Sequence, residues 1–304
     1  MCGIVGYLGS KDPKSVLIEG LRALEYRGYD SAGVAILNDG HFKRVRAEGK
    51  LAKLSEKLAH EKFSGRLGIA HTRWATHGPP VEKNAHPHHH DGVVLVHNGI
   101  IENYVDLKNE LRTRGATFES DTDSELVVHL IAEEVKRTKD LFEAVKNILP
   151  RLEGAYSIVA VWDQQPDRFV AFKKGPPLIF GEGKDEMIVA SDVQAIVSHT
   201  KKILHLEDEQ ILLVSQGEFH LFDRSGKPLP VHMKEISWSA EKAEKGGHPH
   251  FMLKEIFEQP RAVAQALDAH VDLSHPSVHL KFGGNKQMAL EDLSKFERIF
   301  IVAC

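Results

Sequence analysis

Met1-Cys2-Gly3-Ile4-Val5-Gly6 is the beginning of the chain, and it sets a cysteine directly before an apolar run that predicts a buried strand over residues 3–8. An initiator methionine is usually removed when a small residue such as cysteine follows it. Removal would give Cys2 a free thiol and a free α-amine, which ordinarily titrate near ~8.5 and ~7.7–8.0. A nucleophile that carries its own base needs no separate histidine beside it. Taken alone, however, Cys2 is more simply explained as a small apolar residue of a first strand.

Composition and charge restrict the class of protein. Of the 304 residues, 42% are hydrophobic and 27% are charged, as in soluble globular proteins. The net charge of −4 gives no basic footprint for nucleic acid. Two cysteines cannot build a disulfide framework, no stretch approaches the ~20 apolar residues of a membrane span, and no signal peptide is evident. We therefore expect a cytoplasmic protein that binds neither nucleic acid nor a membrane.

The order of predicted elements indicates the fold class. Hydrophobic periodicity predicts strands first, helices in the middle and strands again. The strands are predicted at 3–8, 33–37, 41–46, 67–72, 93–97, 155–162, 168–173, 177–180, 187–190, 210–214 and 218–222. The helices are predicted at 13–27, where Gly28 ends the first one, and at 51–58, 103–114, 123–137 and 140–149. This is not the regular alternation of a parallel doubly wound fold. It predicts an α+β domain of two mainly antiparallel sheets with helices outside them.

The carboxy-terminal part of the chain differs in composition. We predict a domain over 2–222, a linker over 223–250 that includes the charged and flexible stretch 239–249, and a third segment over 251–304. That segment begins with a helix over 254–267 and ends in the apolar run 298–304. An apolar strand with nothing after it suggests a truncated chain. The alternative is a terminal strand that pairs back onto the domain.

Three polar clusters lie where predicted strands end or a helix begins, and such positions often carry function. The stretch 71–78, His-Thr-Arg-Trp-Ala-Thr-His-Gly, combines a cation, a large aromatic ring, a hydroxyl group and two imidazoles. Asn98-Gly99 reads first as a tight turn. A side-chain amide and an unhindered glycine N–H can also form an oxyanion hole. The acidic stretch 120–125 reads first as a helix cap, although an acid there and Arg73 could hold the ammonium and carboxylate of an amino acid.

The histidine run His86-Pro87-His88-His89-His90 invites a metal-binding interpretation. Consecutive residues and a proline splay the imidazole rings apart, and no helical i, i+4 pair supplies a defined ligand geometry. We therefore predict no metal site there, although one histidine could line a pocket. The stretch 181–184, Gly-Glu-Gly-Lys, lacks the spacing of a phosphate-binding loop and is interpreted as a hairpin turn.

Taken together, these motifs resemble the glutaminase half of the glutamine–fructose-6-phosphate amidotransferases, the glucosamine-6-phosphate synthases. The resemblance covers nearly the whole chain, and its motifs occur in the family's order. It rests on residues 2–6, 25–33, 71–78, 84–88, 97–103, 121–125, 152–156, 190–192 and 254–260. The family's fold is the amino-terminal-nucleophile hydrolase αββα sandwich of two antiparallel sheets, followed here by a linker and a helix.

The resemblance implies roles for individual residues. Cys2 matches the nucleophile and its own α-amine the base, while Asn98 and Gly99 match the oxyanion hole. Arg73 and Asp123 match the residues that hold the glutamine α-carboxylate and α-ammonium. The residues that match the pocket and its closing loop are Trp74, Thr76, His77 and His86. Arg27 and Gly28 match a motif that packs beside the nucleophile. It implies no metal and no cofactor.

The family's reaction releases ammonia from L-glutamine through a glutamyl thioester and passes it to sugar-phosphate isomerase domains. There fructose 6-phosphate becomes glucosamine 6-phosphate, in a protein expected to be a homo-oligomer at full length. This chain ends at Cys304, where the first isomerase domain would begin, so the resemblance implies glutaminase activity only. Two alternatives stay open. One is another cysteine-initiated amidotransferase, of the phosphoribosyl-pyrophosphate amidotransferase or asparagine synthetase type. The other is an inactive binding fragment that retains Met1.

Overall fold

The fold, taken from a computed structural model, consists of two antiparallel sheets that pack face to face between helices. The structure describes residues 2–215, 217–236, 247–249 and 251–268, with short pieces at 271–272, 277–278, 280–281, 287–288 and 295–298. Residues 1–242 form one compact unit and residues 243–304 a second. The α+β sandwich predicted from the order of elements is confirmed.

The elements of the first unit follow the predicted order. The strands are β1 (Gly3–Gly9), β2 (Ser31–Asn38), β3 (His41–Glu48), β4 (Leu67–Arg73), β5 (His88–His90), β6 (Val93–Ile101), β7 (Gly154–Trp162), β8 (Arg168–Lys174), β9 (Ile179–Gly183), β10 (Glu186–Ala190), β11 (Lys202–His205), β12 (Ile211–Ser215), β13 (Glu218–Phe222) and β14 (Lys234–Glu235). The helices are α1 (Pro13–Ala23), α2 (Leu51–Leu58), α3 (Tyr104–Thr113), α4 (Ser124–Thr138) and α5 (Leu141–Ile148). The second unit contains helix α6 (Phe251–Asp268).

The two sheets have eight and six strands. The first has the order β14-β11-β9-β10-β1-β4-β2-β3, and the second has the order β13-β12-β8-β7-β6-β5. Alternation along β1 shows how the layers form, because successive side chains of a strand point to opposite faces. Ile4 and Leu8 pack between the two sheets. Val5 and Tyr7 face the other way and pack in the cluster that contains residues of α1.

Helix α1 begins where the sequence predicts a cap. The Asp12 carboxylate accepts hydrogen bonds from the main-chain N–H groups of Lys14 and Ser15, and Pro13 occupies the first helical position. Helices α1 and α2 cover the outer face of the first sheet. Helices α3, α4 and α5 cover the outer face of the second. Each sheet is therefore buried on both faces over much of its area.

The register of the central strands brings the predicted site residues together. In the first sheet Gly3 pairs with Thr72, so the residue before β1 lies beside the end of β4. In the second sheet β6 pairs with β7 and carries Asn98 and Gly99. Contacts between β1, β4 and β6 connect the two sheets. Cys2, the stretch after Arg73 and the Asn98-Gly99 pair therefore meet at one end of the sandwich.

Some elements differ from the sequence-based expectation. The histidine run forms the edge strand β5, in which His88 is buried and His89 is exposed. Strands β11 and β14 were not predicted, and β14 lies within the stretch 223–250 that composition assigns to a linker. The division into 2–222, 223–250 and 251–304 stays a prediction. The predicted terminal strand falls mostly outside the described residues. Every helix among the described residues is too short or too polar to span a lipid bilayer.

Candidate active site

A cavity of about 370 Å³ opens at the end of the sandwich where Cys2 lies. This volume is within the range of small-molecule sites, roughly 300–1,000 Å³. Nine of the residues predicted from the sequence line it: Cys2, Arg27, Arg73, Trp74, Thr76, His86, Asn98, Gly99 and Asp123. The lining does not include two others, Gly28 and His77. It does include six residues that were not among the predicted site residues: His97, Ile100, Thr122, Ser124, Pro176 and Pro177. The first four lie within stretches that the sequence singled out, whereas the two prolines do not.

Main-chain groups hold the thiol of Cys2 at the wall of the cavity. The N–H of Trp74 donates to Cys2 Sγ over 3.2 Å, and the thiol donates to the Trp74 carbonyl oxygen over 3.5 Å. The carbonyl oxygen of Cys2 accepts from Arg27 Nε and from Asn98 Nδ2, each over 3.1 Å. Burial raises the pKa of the Cys2 thiol, and the Trp74 N–H offsets part of that rise. The thiol therefore needs a base to become a thiolate at neutral pH.

Arg27 and Gly28 support Cys2 from one side. Arg27 is buried and also donates through Nη1 to Asp192 over 3.2 Å. Gly28 packs flat against the peptide between Arg73 and Trp74, and a Cβ at position 28 would lie 2.8 Å from the Arg73 carbonyl carbon. Its φ of −174° is ordinary extended backbone, so close packing explains the glycine. The peptide that Gly28 contacts is the one whose N–H binds the thiol.

Asn98 and Gly99 lie next to each other on β6, opposite β7. Gly99 has φ +122°, and a Cβ there would lie 2.1 Å from the Ala155 carbonyl oxygen. Backbone conformation and the neighbouring strand thus both require glycine at this position. The Asn98 amide is buried, with its oxygen 3.0 Å from His71 Nε2 and its nitrogen directed at the Cys2 carbonyl group. The amide nitrogen therefore lies on the Cys2 side of the cavity.

Arg73 and Asp123 bring opposite charges into the same cavity. Both are only 3% exposed. The Arg73 guanidinium donates to the carbonyl oxygens of His77, Gly78 and Pro79, so it also fixes the loop after β4. Asp123 accepts from the Ile101 N–H over 2.8 Å. Burial lowers the pKa of Arg73, while Cys2, Asp30 and Asp123 counteract that shift. The pair can bind a ligand that carries a carboxylate and an ammonium group.

The stretch from Trp74 to Gly78 forms the rim of the site. Trp74 is 45% exposed, and its ring packs edge-on against Tyr29 at 5.5 Å between centroids. The His77 ring packs edge-on against Tyr104 at 5.2 Å, away from the cavity lining. Gly78 has φ +73° and turns the chain back. The predicted closing loop is thus anchored by Arg73 beneath it.

Four buried imidazoles cluster at the cavity, and two of them, His86 and His97, line it. His71, His86, His88 and His97 are all at most 4% exposed, and the ring centroids of His71 and His86 are 4.2 Å apart. Burial lowers the pKa of all four, for His71 to about 3, so they are neutral at physiological pH. Among the described residues, no group of His, Cys, Asp and Glu has an arrangement that could hold a metal ion. Only His86 of this cluster was predicted as a site residue, because the rings converge from different sheets and from the segment before β5, which no local sequence pattern shows.

This chain matches a family of glutamine amidotransferase domains and curated proteins that are glutamine–fructose-6-phosphate aminotransferases. Residues 71–198 match the family described as glutamine amidotransferase domain. The glutamine–fructose-6-phosphate aminotransferase (isomerizing) of Clostridium tetani is 44% identical over 100% of this chain and 49% of its own length. The enzyme of the same name from Pseudomonas syringae pv. tomato is also 44% identical, with the same coverage. The chain spans about half the length of the curated relatives it matches.

Solved structures support the same fold. The glutamine phosphoribosylpyrophosphate amidotransferase from B. subtilis, complexed with ADP and GMP, is 26% identical with a TM-score of 0.64, over 75% of this chain and 50% of that one. A glutamine aminotransferase class-II domain protein from Silicibacter pomeroyi has a TM-score of 0.51 at 14% identity, over 73% of this chain and 99% of that one. The second likeness shows the fold alone.

Proposed function

This chain belongs to the glutamine amidotransferases, and it matches about half the length of the glutamine–fructose-6-phosphate aminotransferases. On that premise we propose how its cavity hydrolyses glutamine. The proposed nucleophile is Cys2 and the proposed substrate L-glutamine, bound by its α-groups at Arg73 and Asp123. One observation carries the proposal: a thiol, an amide–glycine pair and two opposite buried charges line one cavity. A free amino acid with a side-chain carboxamide complements all three.

The proposed base is the α-amine of Cys2, formed when Met1 is removed. A base is needed because burial raises the pKa of the Cys2 thiol. While Met1 is attached, the Cys2 nitrogen is an amide and cannot accept a proton. In the proposed step the amine takes the thiol proton, and the C–S bond forms at the glutamine carboxamide carbon. The ammonium then returns a proton to the leaving nitrogen, ammonia departs, and water hydrolyses the thioester to glutamate.

The proposed oxyanion donors are Asn98 Nδ2 and the N–H of Gly99. In the tetrahedral intermediate the former carbonyl oxygen is negative, and each well-placed donor is worth roughly 3 kcal/mol of transition-state stabilisation. The Asn98 amide nitrogen lies 3.1 Å from the carbonyl oxygen of Cys2 itself, which supports its position next to the reacting carbon. The close packing of Gly99 on Ala155 supports a fixed backbone there.

The remaining predicted residues have supporting roles in this proposal. Trp74, Thr76 and His77 belong to the segment that encloses the substrate, and His86 contributes to the inner wall. Arg27 and Gly28 hold Cys2 and the Trp74 peptide. No cofactor and no metal takes part in the proposed reaction.

For the whole protein we propose glucosamine 6-phosphate synthesis from fructose 6-phosphate, because the curated relatives at 44% identity carry the name of that enzyme. The sugar phosphate would bind outside this chain, and the full-length protein would be a homo-oligomer. We further propose a cytoplasmic location with no nucleic-acid or membrane partner, from the net charge of −4 and the two cysteines. The phosphoribosyl-pyrophosphate type is the competing assignment, supported by a structural relative at 26% identity.

The direct test is ammonia release from L-glutamine by the purified chain, compared with the Cys2→Ala variant. Wild-type turnover and none in Cys2→Ala are expected, together with covalent labelling of Cys2 by an electrophilic glutamine analogue in mass spectra. Undiminished turnover in Cys2→Ala would exclude the nucleophile. The same incubation with fructose 6-phosphate should yield no amino sugar, and its detection would contradict the assignment of the sugar site to another part of the protein.

A further inference from the structure

The orientation of the Asn98 amide decides whether this residue can stabilise an oxyanion. An asparagine presents an NH₂ donor on one side and a carbonyl acceptor on the other, and the two orientations have nearly the same shape. With the NH₂ group toward Cys2 it donates to a developing negative oxygen. With the carbonyl group toward Cys2 it would repel that oxygen. The proposed chemistry therefore requires a neighbour that distinguishes the two orientations.

One such neighbour is His71, a fully buried residue of β4 that contacts the amide oxygen. The Cys2 carbonyl oxygen, which can only accept, favours the same orientation from the nitrogen side. His71 Nε2 lies 3.0 Å from the His97 carbonyl oxygen and 3.0 Å from Asn98 Oδ1. A main-chain carbonyl oxygen can only accept a hydrogen bond. The contact with His97 therefore requires a proton on His71 Nε2, whatever the orientation of Asn98. The tautomer of His71 is set by the backbone of the neighbouring sheet.

The tautomer in turn selects the amide orientation. An Nε2–H facing the Asn98 side chain accommodates its oxygen, whereas an NH₂ group there would bring two donors together. His71 Nδ1 is buried with no partner among the described residues, which suits a bare lone pair better than an N–H. Burial also lowers the pKa of His71 to about 3, so the ring stays neutral and keeps this single donor. Only the NH₂ group of Asn98 is then left to face Cys2.

We propose that His71 is a positioning residue that holds the Asn98 amide with its NH₂ group toward the oxyanion, an inference that rests on the proposed glutaminase function. The chain of contacts runs from the His97 carbonyl group through His71 Nε2–H to Asn98 Oδ1, and from Asn98 Nδ2 to the Cys2 carbonyl oxygen. His71 does not line the cavity, so it can act there only through neighbours that do, and Asn98 is the neighbour whose side chain it hydrogen-bonds.

The test replaces the donor and measures glutamine hydrolysis. In His71→Leu, kcat should fall by roughly 10- to 100-fold. This is smaller than the ~10²–10³-fold fall in kcat expected when one oxyanion donor is lost altogether. KM should change by less than about threefold. In His71→Gln a side-chain NH₂ can reach Asn98 Oδ1, so kcat should recover to within about fivefold of wild type. In His71→Asn the shorter side chain cannot, and equal kcat values for the Gln and Asn variants would overturn the proposal. If His71→Leu does not fold, the comparison of kcat between His71→Gln and His71→Asn still tests the proposal.

A double-mutant cycle separates positioning from general support of the fold. In the Asn98→Ala background, His71→Leu should reduce kcat by less than about threefold, because the group that it orients is already gone. If the kcat of the double variant instead falls by the product of the two single-variant reductions, the proposal is overturned. Alkylation of Cys2 by iodoacetamide forms no oxyanion, so its rate in His71→Leu should stay within about twofold of wild type. A matching loss of alkylation would point to a collapsed site and also count against the proposal.

The control is His88→Gln, a buried histidine of the same cluster that contacts Thr122 rather than Asn98. Its kcat should equal that of the wild type. Failure of the glutaminase function itself is distinguishable, because wild-type chain beginning at Cys2 would then neither release ammonia nor react with the electrophilic analogue. An active wild type with an unimpaired His71→Leu variant would overturn only the role of His71.

Discussion

The main-chain N–H of Trp74 lies 3.2 Å from the sulfur of Cys2, and it is the hydrogen bond that most directly counteracts the effect of burial on the thiol pKa. The two residues are 72 positions apart and meet because Gly3 pairs with Thr72 in the sheet. Gly28 packs against the same peptide. The environment of the Cys2 thiol, the proposed nucleophile, therefore depends on a backbone segment that is itself held by a glycine contact.

Gly28→Ala should reduce kcat for glutamine hydrolysis by about tenfold or more. The added Cβ would lie 2.8 Å from the Arg73 carbonyl carbon and 3.0 Å from the Trp74 nitrogen, so the peptide must move away from Cys2. Steady-state kinetics and the pH dependence of Cys2 alkylation measure this, and the thiol pKa should rise further. Gly40→Ala is the matched control. Gly40 has no atom within 4 Å of an added Cβ, so that variant should lose about 1 kcal/mol of stability through its φ of +86° and keep its kcat. A fully active Gly28→Ala enzyme would contradict the packing argument.

Arg73→Ala should raise KM for glutamine by at least about tenfold, because the α-carboxylate would lose a buried, charge-assisted partner. Lys50→Ala is the control, since Lys50 is exposed and outside the cavity lining, and its KM should not change. Arg73 also binds the carbonyl oxygens of Gly78 and Pro79, so kcat should fall as well. Arg73→Lys separates the two effects, because one ammonium cannot bind three carbonyl oxygens and a carboxylate together. Equal KM values for Arg73→Ala and Lys50→Ala would exclude Arg73 from substrate binding.

The sequence allowed most of the sandwich to be predicted for a physical reason. Strongly periodic segments such as β1 and α4 bury one face or both, and the pattern of apolar residues records this directly. Strand β5 was missed because its three residues are all histidines, and pairing with β6 rather than propensity makes it a strand. Strand β14 has only two residues and exists through its pairing with β11.

The site was predictable where its residues form local motifs and less so where distant segments converge. Cys2 and Asn98 each lie in a short recognisable stretch, and both line the cavity. Pro176 and Pro177 follow β8 and reach the same cavity only through the stacking of the two sheets. His71 belongs to a stretch that the sequence singled out, yet its contact with Asn98 crosses from one sheet to the other. Such a contact depends on how the two sheets stack on each other, and no local sequence pattern contains that information.

The protein should lose stability in mild acid because of its buried histidines. Burial lowers the pKa of His71, His86, His88 and His97 in the folded state, whereas unfolded histidines titrate near ~6.5. Below that pH the unfolded chain takes up protons that the folded chain excludes, so the free energy of unfolding falls as pH falls. Each such histidine contributes at most about 1.4 kcal/mol per pH unit.

Denaturant unfolding between pH 7 and pH 5 measures this slope. In His88→Gln the slope should be smaller by about 1 kcal/mol per pH unit, because one buried titrating ring has been removed. His60→Gln is the control, since His60 is exposed, and its slope should equal that of the wild type. Stability that does not depend on pH in this range would show that the cluster is hydrated or charged in the folded protein.

Removal of Met1 should switch the glutaminase on, because it converts the amide nitrogen of Cys2 into the amine that the proposed mechanism uses as base. A chain carrying a protease-cleavable extension before Cys2 tests this without any change in the folded core. Before cleavage we expect no ammonia release, although the thiol still reacts with iodoacetamide. After cleavage, turnover should rise in proportion to the fraction of chains that begin with Cys2, measured by sequential Edman degradation. A Cys2→Ser chain treated identically is the control for the protease and should stay at least about 100-fold less active, since serine is the weaker nucleophile. Equal activity before and after cleavage would mean that another group takes the thiol proton, and the terminal amine would lose its place in the mechanism.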